Sequence, residues 1–193
     1  MDPQDIRSLQ FLEEIDNNHS PTQRALARKF NISLGLVNSF IKRLARKGYV
    51  KVTTIPRKRV RYILTPKGFA EKSRLTYEFI QYSLHFYKKA LRDFQELVGE
   101  FETMGVKRVV FYGANDLAEI ASISLRASDI ELIAVVDDLR EGEKFLGHTI
   151  RSAAELSQLE FDRLIVTTID SRESIFDKLL QKKIPGDKII LLE

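Results

Sequence analysis

The sequence predicts an α/β chain of two domains: an N-terminal winged helix-turn-helix, a long connecting coiled-coil helix, and a C-terminal small parallel Rossmann-like sheet. Three observations predict it. Between Ser20 and Gly68, apolar residues recur first at helical spacing and then in strict alternation. From Tyr77 to Phe101 they follow an unbroken three-four rhythm. Beyond Gly105, short apolar runs alternate with helical stretches, as in a parallel sheet with crossover helices. The expected boundaries are 1–64, 65–104 and 105–193, within a chain of 193 residues that can bury two modest cores.

The opening helix is expected from about Asp5 to Asp16, with Ile6, Leu9, Leu12 and Ile15 on one side. Ser20 followed by Pro21 reads as an N-cap with proline at the first helical position, where its missing N–H costs nothing. That helix shows Ala25, Leu26 and Phe30 on one face and breaks at Asn31. Ser33 caps the next helix, whose inward row is Val37, Ile41 and Leu44, and Gly48 closes it. Val50–Ile55 and Val60–Leu64 then form a hairpin around Pro56-Arg57-Lys58-Arg59, a cationic tip of the kind a wing offers to phosphates. Thr65-Pro66 starts a helix running to about Met104.

Along that helix Tyr77, Ile80, Leu84, Tyr87, Leu91, Phe94, Val98 and Phe101 make a coiled-coil seam, widened by Phe79 and Phe86. The helix is too long for one small domain to cover, so a homodimer through residues 77–101 is expected. After it, Val106–Tyr112, Ile130–Val136, Phe161–Thr167 and Ile189–Leu192 read as strands. Asp116–Leu125 and Ser171–Lys183 read as helices, with a loop and a short helix before the third strand.

Charge is split between the two halves. Residues 1–62 carry thirteen Lys/Arg against five Asp/Glu, a net of +8, and residues 63–193 carry eighteen against twenty-two, a net of −4. A helix-turn-helix also serves as a plain interaction module, and a basic helix face is often only solvated surface. Confinement of the positive charge to one third of the chain favours a surface that releases counterions from double-stranded DNA. With no cysteine, disulfides, thiolate metal sites and cysteine nucleophiles are excluded, and His19, His85 and His148 lack ligand spacing. No signal peptide or membrane span is evident, so a cytoplasmic chain without a membrane partner is expected. No catalytic or metal-ligating set is read, and the chain is expected not to be an enzyme; Asp137, Asp138 and Asp170 all lie at strand ends.

The runs SLGLVNSFIKRLARKGYVKV and YILTPKGFAEKSRLT resemble the MarR-type winged-helix regulators associated with exopolysaccharide gene clusters, over roughly residues 5 to 98. Leu36 stands where that family carries a more polar residue. The second half, with RVVFYGANDLAEI, ELIAVVDD, KFLGHTI and DRLIVTT, is similar to the Rossmann-like N-terminal domain of polysaccharide-biosynthesis epimerases and dehydratases. The first resemblance implies a transcriptional regulator. Ser33, Gly35, Asn38, Ser39 and Lys42 would then face the bases, with Arg57, Lys58, Arg59 and Arg61 on phosphate or in the minor groove and Gln23 and Arg24 near the backbone.

The second half is expected to hold a small-molecule effector of nucleotide, nucleotide-sugar or dinucleotide type at Gly113, Ala114, Asn115, Asp116 and Asp137. Asp137 follows Gly113 by 24 positions, close to the spacing of a carboxylate that bonds a ribose hydroxyl. The fingerprint departs from G-x-G-x-x-G because Asn115 takes the second glycine's place. Two alternatives stand beside this. One is a DNA-tethered interaction protein whose second domain is structural or binds a protein; the other is an NAD(H)-responsive redox repressor, which normally needs the glycine that Asn115 replaces.

Overall fold

The computed structural model describes residues 1–17, 21–55, 59–168 and 172–191. The chain divides into two compact units, Met1–His85 and Phe86–Glu193. One continuous helix, α4 (Pro66–Thr103), contributes to both.

In the first unit, α1 (Pro3–Asn17), α2 (Gln23–Lys29) and α3 (Leu34–Arg46) precede the antiparallel pair β1 (Val50–Ile55) and β2 (Arg59–Leu64), registered from Val50 opposite Leu64 to Ile55 opposite Arg59. The start of α2 differs from expectation. Thr22, extended at φ −77 and ψ 151, is the N-cap, and its hydroxyl accepts the Ala25 N–H at 3.1 Å. Pro21 therefore precedes the cap, and Ser20 lies outside the described residues, as do the wing-tip residues Pro56, Arg57 and Lys58. Ser33 does cap α3, accepting from the Leu36 N–H at 3.2 Å.

The core of this unit joins Leu9, Phe11, Leu12 and Ile15 of α1 to Leu26, to Val37, Ile41 and Leu44 of α3, and to Val50, Tyr62 and Leu75. Phe11 lies against Phe30 and stacks on Phe40, with ring centroids 4.9 and 5.3 Å away. Thr65 ties β2 and α4 to the end of α3. Its N–H donates to the Tyr49 carbonyl at 3.0 Å, and its hydroxyl donates to the Gly48 carbonyl at 2.7 Å and accepts the Gly68 N–H at 2.9 Å. Gly68 is required there, since a Cβ would stand 2.0 Å from the Tyr49 carbonyl oxygen.

In the second unit, β3 (Arg108–Tyr112), β4 (Glu131–Val136), β7 (Arg163–Val166) and β8 (Ile189–Leu191) form a parallel sheet in the order β4-β3-β7-β8. Helices α5 (Asp116–Leu125) and α6 (Arg172–Gln181) connect the strands. A feature that the apolar pattern does not announce is a small antiparallel hairpin, β5 (Lys144–Phe145) with β6 (His148–Thr149). Leu146 and Gly147 turn it with positive φ of 49° and 82°, the twist that suits a two-residue hairpin loop. A 3-10 turn over Ala153–Gln158 follows, capped by Ser152 and Glu155. The Ser171 start of α6 and the Leu192 end of β8 lie outside the described residues.

The sheet is filled on both faces. Val110, Tyr112, Ala134, Val136, Leu164, Val166 and Leu179 build one cluster. Val109, Phe111, Val135 and Ile165 build the other with α5 and with Ala90, Phe94, Val98 and Phe101 of α4. This corrects the expected seam. Its C-terminal part is consumed by the helix's own sheet, because Phe94 and Phe101 are 1% and 2% exposed, whereas Tyr77, Ile80, Leu84 and Tyr87 stay uncovered. Phe94→Ala is accordingly expected to destabilise the second unit by about 3–5 kcal/mol. Chemical denaturation should show this with no change in oligomeric state by light scattering.

Candidate nucleic-acid interface and the sheet-edge cluster

Burial of Val37, Ile41 and Leu44 fixes which side of α3 points outward. Gly35, Ser39 and Lys42 follow one another at four and three positions, all exposed, and Arg46 continues the row one turn on. Ser39, Lys42, Ala45 and Arg46 line one shallow depression. Arg24, Ala27 and Arg28 of α2 line another with Leu34. Sequence reasoning missed Arg28 and Arg46, although each lies four residues beyond a residue already chosen, Arg24 or Lys42.

Two of the other expected contacts, Gln23 and Ser33, have structural duties. Gln23 is half-buried and donates through Nε2 to the Tyr62 hydroxyl at 3.2 Å, joining α2 to β2. The Ser33 hydroxyl is engaged as the α3 cap. Asn38 is half-buried on the margin of the outward face. Arg61 is exposed on β2, and its carbonyl accepts the Thr53 hydroxyl at 3.4 Å. Arg59 opens β2, and Arg57 and Lys58 lie outside the described residues. Arg43 is withdrawn from the cationic face: it lies over Phe40 and donates to Gln4 Oε1 at 2.6 Å and Ser8 Oγ at 3.1 Å on α1.

In the second unit the five expected ligand residues do converge at the C-terminal ends of β3 and β4. Several of the polar groups there are already held by the chain. Asp137 accepts the Ala114 N–H on Oδ2 and the Leu139 N–H on Oδ1, both at 3.0 Å. Asn115 Oδ1 caps α5, accepting the Leu117 and Ala118 N–H groups at 2.9 and 3.3 Å. These are first-turn donors that a phosphate would otherwise engage. Asp116, exposed in that first turn, complements the helix dipole. Gly113, at φ 115, allows close approach to the end of β7, since a Cβ would meet the Thr168 nitrogen at 3.0 Å and Thr167 Oγ1 at 3.1 Å. The Thr167 hydroxyl donates to the Gly113 carbonyl at 2.6 Å. Arg140, which no motif singled out, donates to the Ala114 carbonyl and pairs with Glu143 at 2.8 Å.

Asp138 likewise serves the fold, accepting from Lys178 of α6 at 2.7 Å and from the Ala153 N–H at 2.8 Å. The Lys178 ammonium, followed by the Ala153 N–H, holds its carboxyl below the usual range. Asp138, and next the Tyr112 hydroxyl, raises Lys178 in turn. Among the described residues no group of three or more His, Cys, Asp or Glu side chains converges to hold a metal ion. Among them, too, no helix is long and apolar enough to cross a membrane.

Residues 5–51 match a family model described as winged helix-turn-helix DNA-binding, and residues 105–190 match one described as C2185-like, N-terminal. No curated protein sequence matches the chain. Among solved structures it is similar to a MarR family transcription regulator at 19% identity and TM-score 0.38, over 42% of this chain and 56% of that one. It is also similar to MepR of S. aureus, solved as a DNA complex, at 17% identity and TM-score 0.39, over 46% of this chain and 63% of that one. The chain therefore spans less than two thirds of the length of either.

The Asp138–Lys178 pair has a defined pH window. With its pKa lowered, Asp138 contributes stability that is complete above the ordinary value of 3.8 and lost as pH falls through its folded value. With its pKa raised, Lys178 contributes stability that is complete below 10.5 and lost as pH rises through its folded value. Lys178→Met should therefore lower the melting temperature across that interval, and the gap from wild type should narrow below pH 3.8. A gap independent of pH would mean that only the packing of the lysine stem matters.

Proposed function

We propose that the chain is a DNA-binding transcription regulator that reads double-stranded DNA as a homodimer. The observation that carries this reading is the one-sided α3. Its apolar row is locked in the core, while Gly35, Ser39, Lys42 and Arg46 stay exposed beside Arg24 and Arg28. The match of residues 5–51 to a winged helix-turn-helix DNA-binding model supports it, as does the net charge of +8 over residues 1–62. Ser33, Gly35, Asn38, Ser39 and Lys42 face the bases. Gln23 and Arg24 stand near one backbone, and Arg57, Lys58, Arg59 and Arg61 of the wing approach another.

The homodimer reading rests on the uncovered middle of α4. Tyr77, Phe79, Ile80, Tyr82, Leu84, Phe86 and Tyr87 are all exposed there, and apolar positions occupy roughly 220° of arc at 100° per residue. A patch of that extent marks an association surface. A two-fold contact between two copies would present two α3 helices to two half-sites. The region expected to pair thereby shortens from 77–101 to its N-terminal portion, 77–87. The target genes are those of surface polysaccharide, a reading that rests on the family resemblance of both halves, and the setting is cytoplasmic.

The second unit senses a nucleotide-type metabolite at the Gly113–Asp116 loop and Asp137, whose convergence at the strand ends supports this role. A second reading is favoured by the bonds within that loop. Asn115, Asp137 and Arg140 satisfy several of its polar groups from inside the chain, as expected of a structural or protein-binding domain. The NAD(H)-responsive variant of the regulator calls for a glycine where Asn115 caps α5.

Fluorescence anisotropy with duplex DNA tests the main reading. Alanine at the wing cations Arg57, Lys58, Arg59 and Arg61 should weaken all duplexes alike. The slope of log K against log salt should become shallower by about 0.9 for each phosphate that is no longer neutralised. Leu84→Glu, at an exposed position, should yield a folded monomer with weakened operator binding; a dimer that survives it would place association elsewhere. For the effector, thermal-shift measurements with nucleotides, nucleotide sugars, coenzyme A and NAD should show one class raising the melting temperature, and Asp137→Asn should abolish the shift. Absence of any shift favours the structural or protein-binding reading.

A further inference from the structure

Two leucines stand uncovered in the first turn of α3, Leu34 at 47% and Leu36 at 41% exposure. With Val37, Ile41 and Leu44 turned inward, they mark the two margins of the outward arc, and Gly35 lies between them. A Cβ on Gly35 would meet nothing within 4 Å, so the space between the leucines is open. On one margin Leu34 lines a depression together with Ala27 and the cations Arg24 and Arg28 of α2. Asn38 lies one helical turn beyond Leu34 on that same margin.

This combination specifies its occupant. Guanidinium groups and apolar side chains lining one depression fit a phosphate backbone beside a base edge that carries a hydrocarbon group. The one such group in the major groove is the thymine C5-methyl. An asparagine amide on the same margin fits the N6 and N7 atoms of adenine. Leucine in place of a polar side chain here forfeits hydrogen bonds to any base, a loss that contact with a methyl group offsets.

We propose that Leu34 and Leu36 are specificity-determining residues that read thymine methyl groups, so that α3 selects A·T pairs beneath its first turn. The proposal rests on the DNA-binding reading. The test begins by selecting duplexes from a randomised 30-base-pair library with the full chain. The best duplex is then resynthesised with deoxyuridine at each thymine in turn, which removes only the methyl group.

Wild-type protein should lose about fourfold in affinity at one or two thymines, the ratio expected for one buried methyl-sized group. Leu34→Ala or Leu36→Ala should erase the uridine penalty at its own position while leaving it at the other. Both residues are exposed, and circular dichroism and salt slopes matching wild type would show that the fold and phosphate contacts persist. Equal binding of thymine and uracil duplexes by wild type overturns the proposal, as does a penalty that survives in both alanine variants or a selected consensus without A·T pairs. Failure to select any duplex overturns the DNA-binding reading itself, and this proposal with it.

Discussion

The first unit depends on a single packing constraint, the burial of Val37, Ile41 and Leu44 against α1, α2 and β1. Once that row is fixed, the rotation of α3 about its axis is fixed, and with it the identity of every outward residue. Arg43 shows how sharp the division is. It sits only one position from Lys42, yet it is drawn over Phe40 and bonded to Gln4 and Ser8, leaving Lys42 on the outer face. The clamp of Thr65 on Gly48 and Tyr49 then secures the end of α3 to the start of α4. Glu71 reinforces this point: Arg74 holds its carboxyl below the usual range, and burial with Glu71 nearby raises the Tyr49 phenol.

Helix α4 answers two different demands along its length. From Ala90 to Phe101 its apolar residues complete the core under β3 and α5. Between Tyr77 and Tyr87 the same period continues without cover. Within the second unit, the loop after β3 is closed by its own side chains. Asn115 occupies the start of α5, and Asp137 and Arg140 brace the loop from β4 and the turn beyond it. A ligand entering there would have to displace or share these bonds, at a cost of about 0.5–1.5 kcal/mol for each one broken.

Much of the fold was legible in the sequence because its strongest signals are periodic. The inward row of α3, the bounds of α5 and the four sheet strands follow from apolar spacing and from polar caps. The seam misled in one respect. A three-four rhythm shows that a face is apolar, but Phe94 and Phe101 look the same in sequence whether a sheet or a second helix covers them. The hairpin β5–β6 escaped because two-residue strands carry no alternation, although Leu146-Gly147 supplied a turn signal. At the candidate interface, period alone would have added Arg28 and Arg46. The duties of Gln23 and Asn115 required hydrogen-bond partners that sequence does not display.

The central claim is that double-stranded DNA is gripped by the outward face of α3 and the wing. Hydrogen–deuterium exchange of the full chain, with and without a saturating selected duplex, tests it most directly. Exchange should slow in α2, α3 and residues 50–64, with the interior strands β3 and β7 unchanged. Slowing confined to residues 105–190, or no slowing anywhere while the duplex is bound, would contradict it.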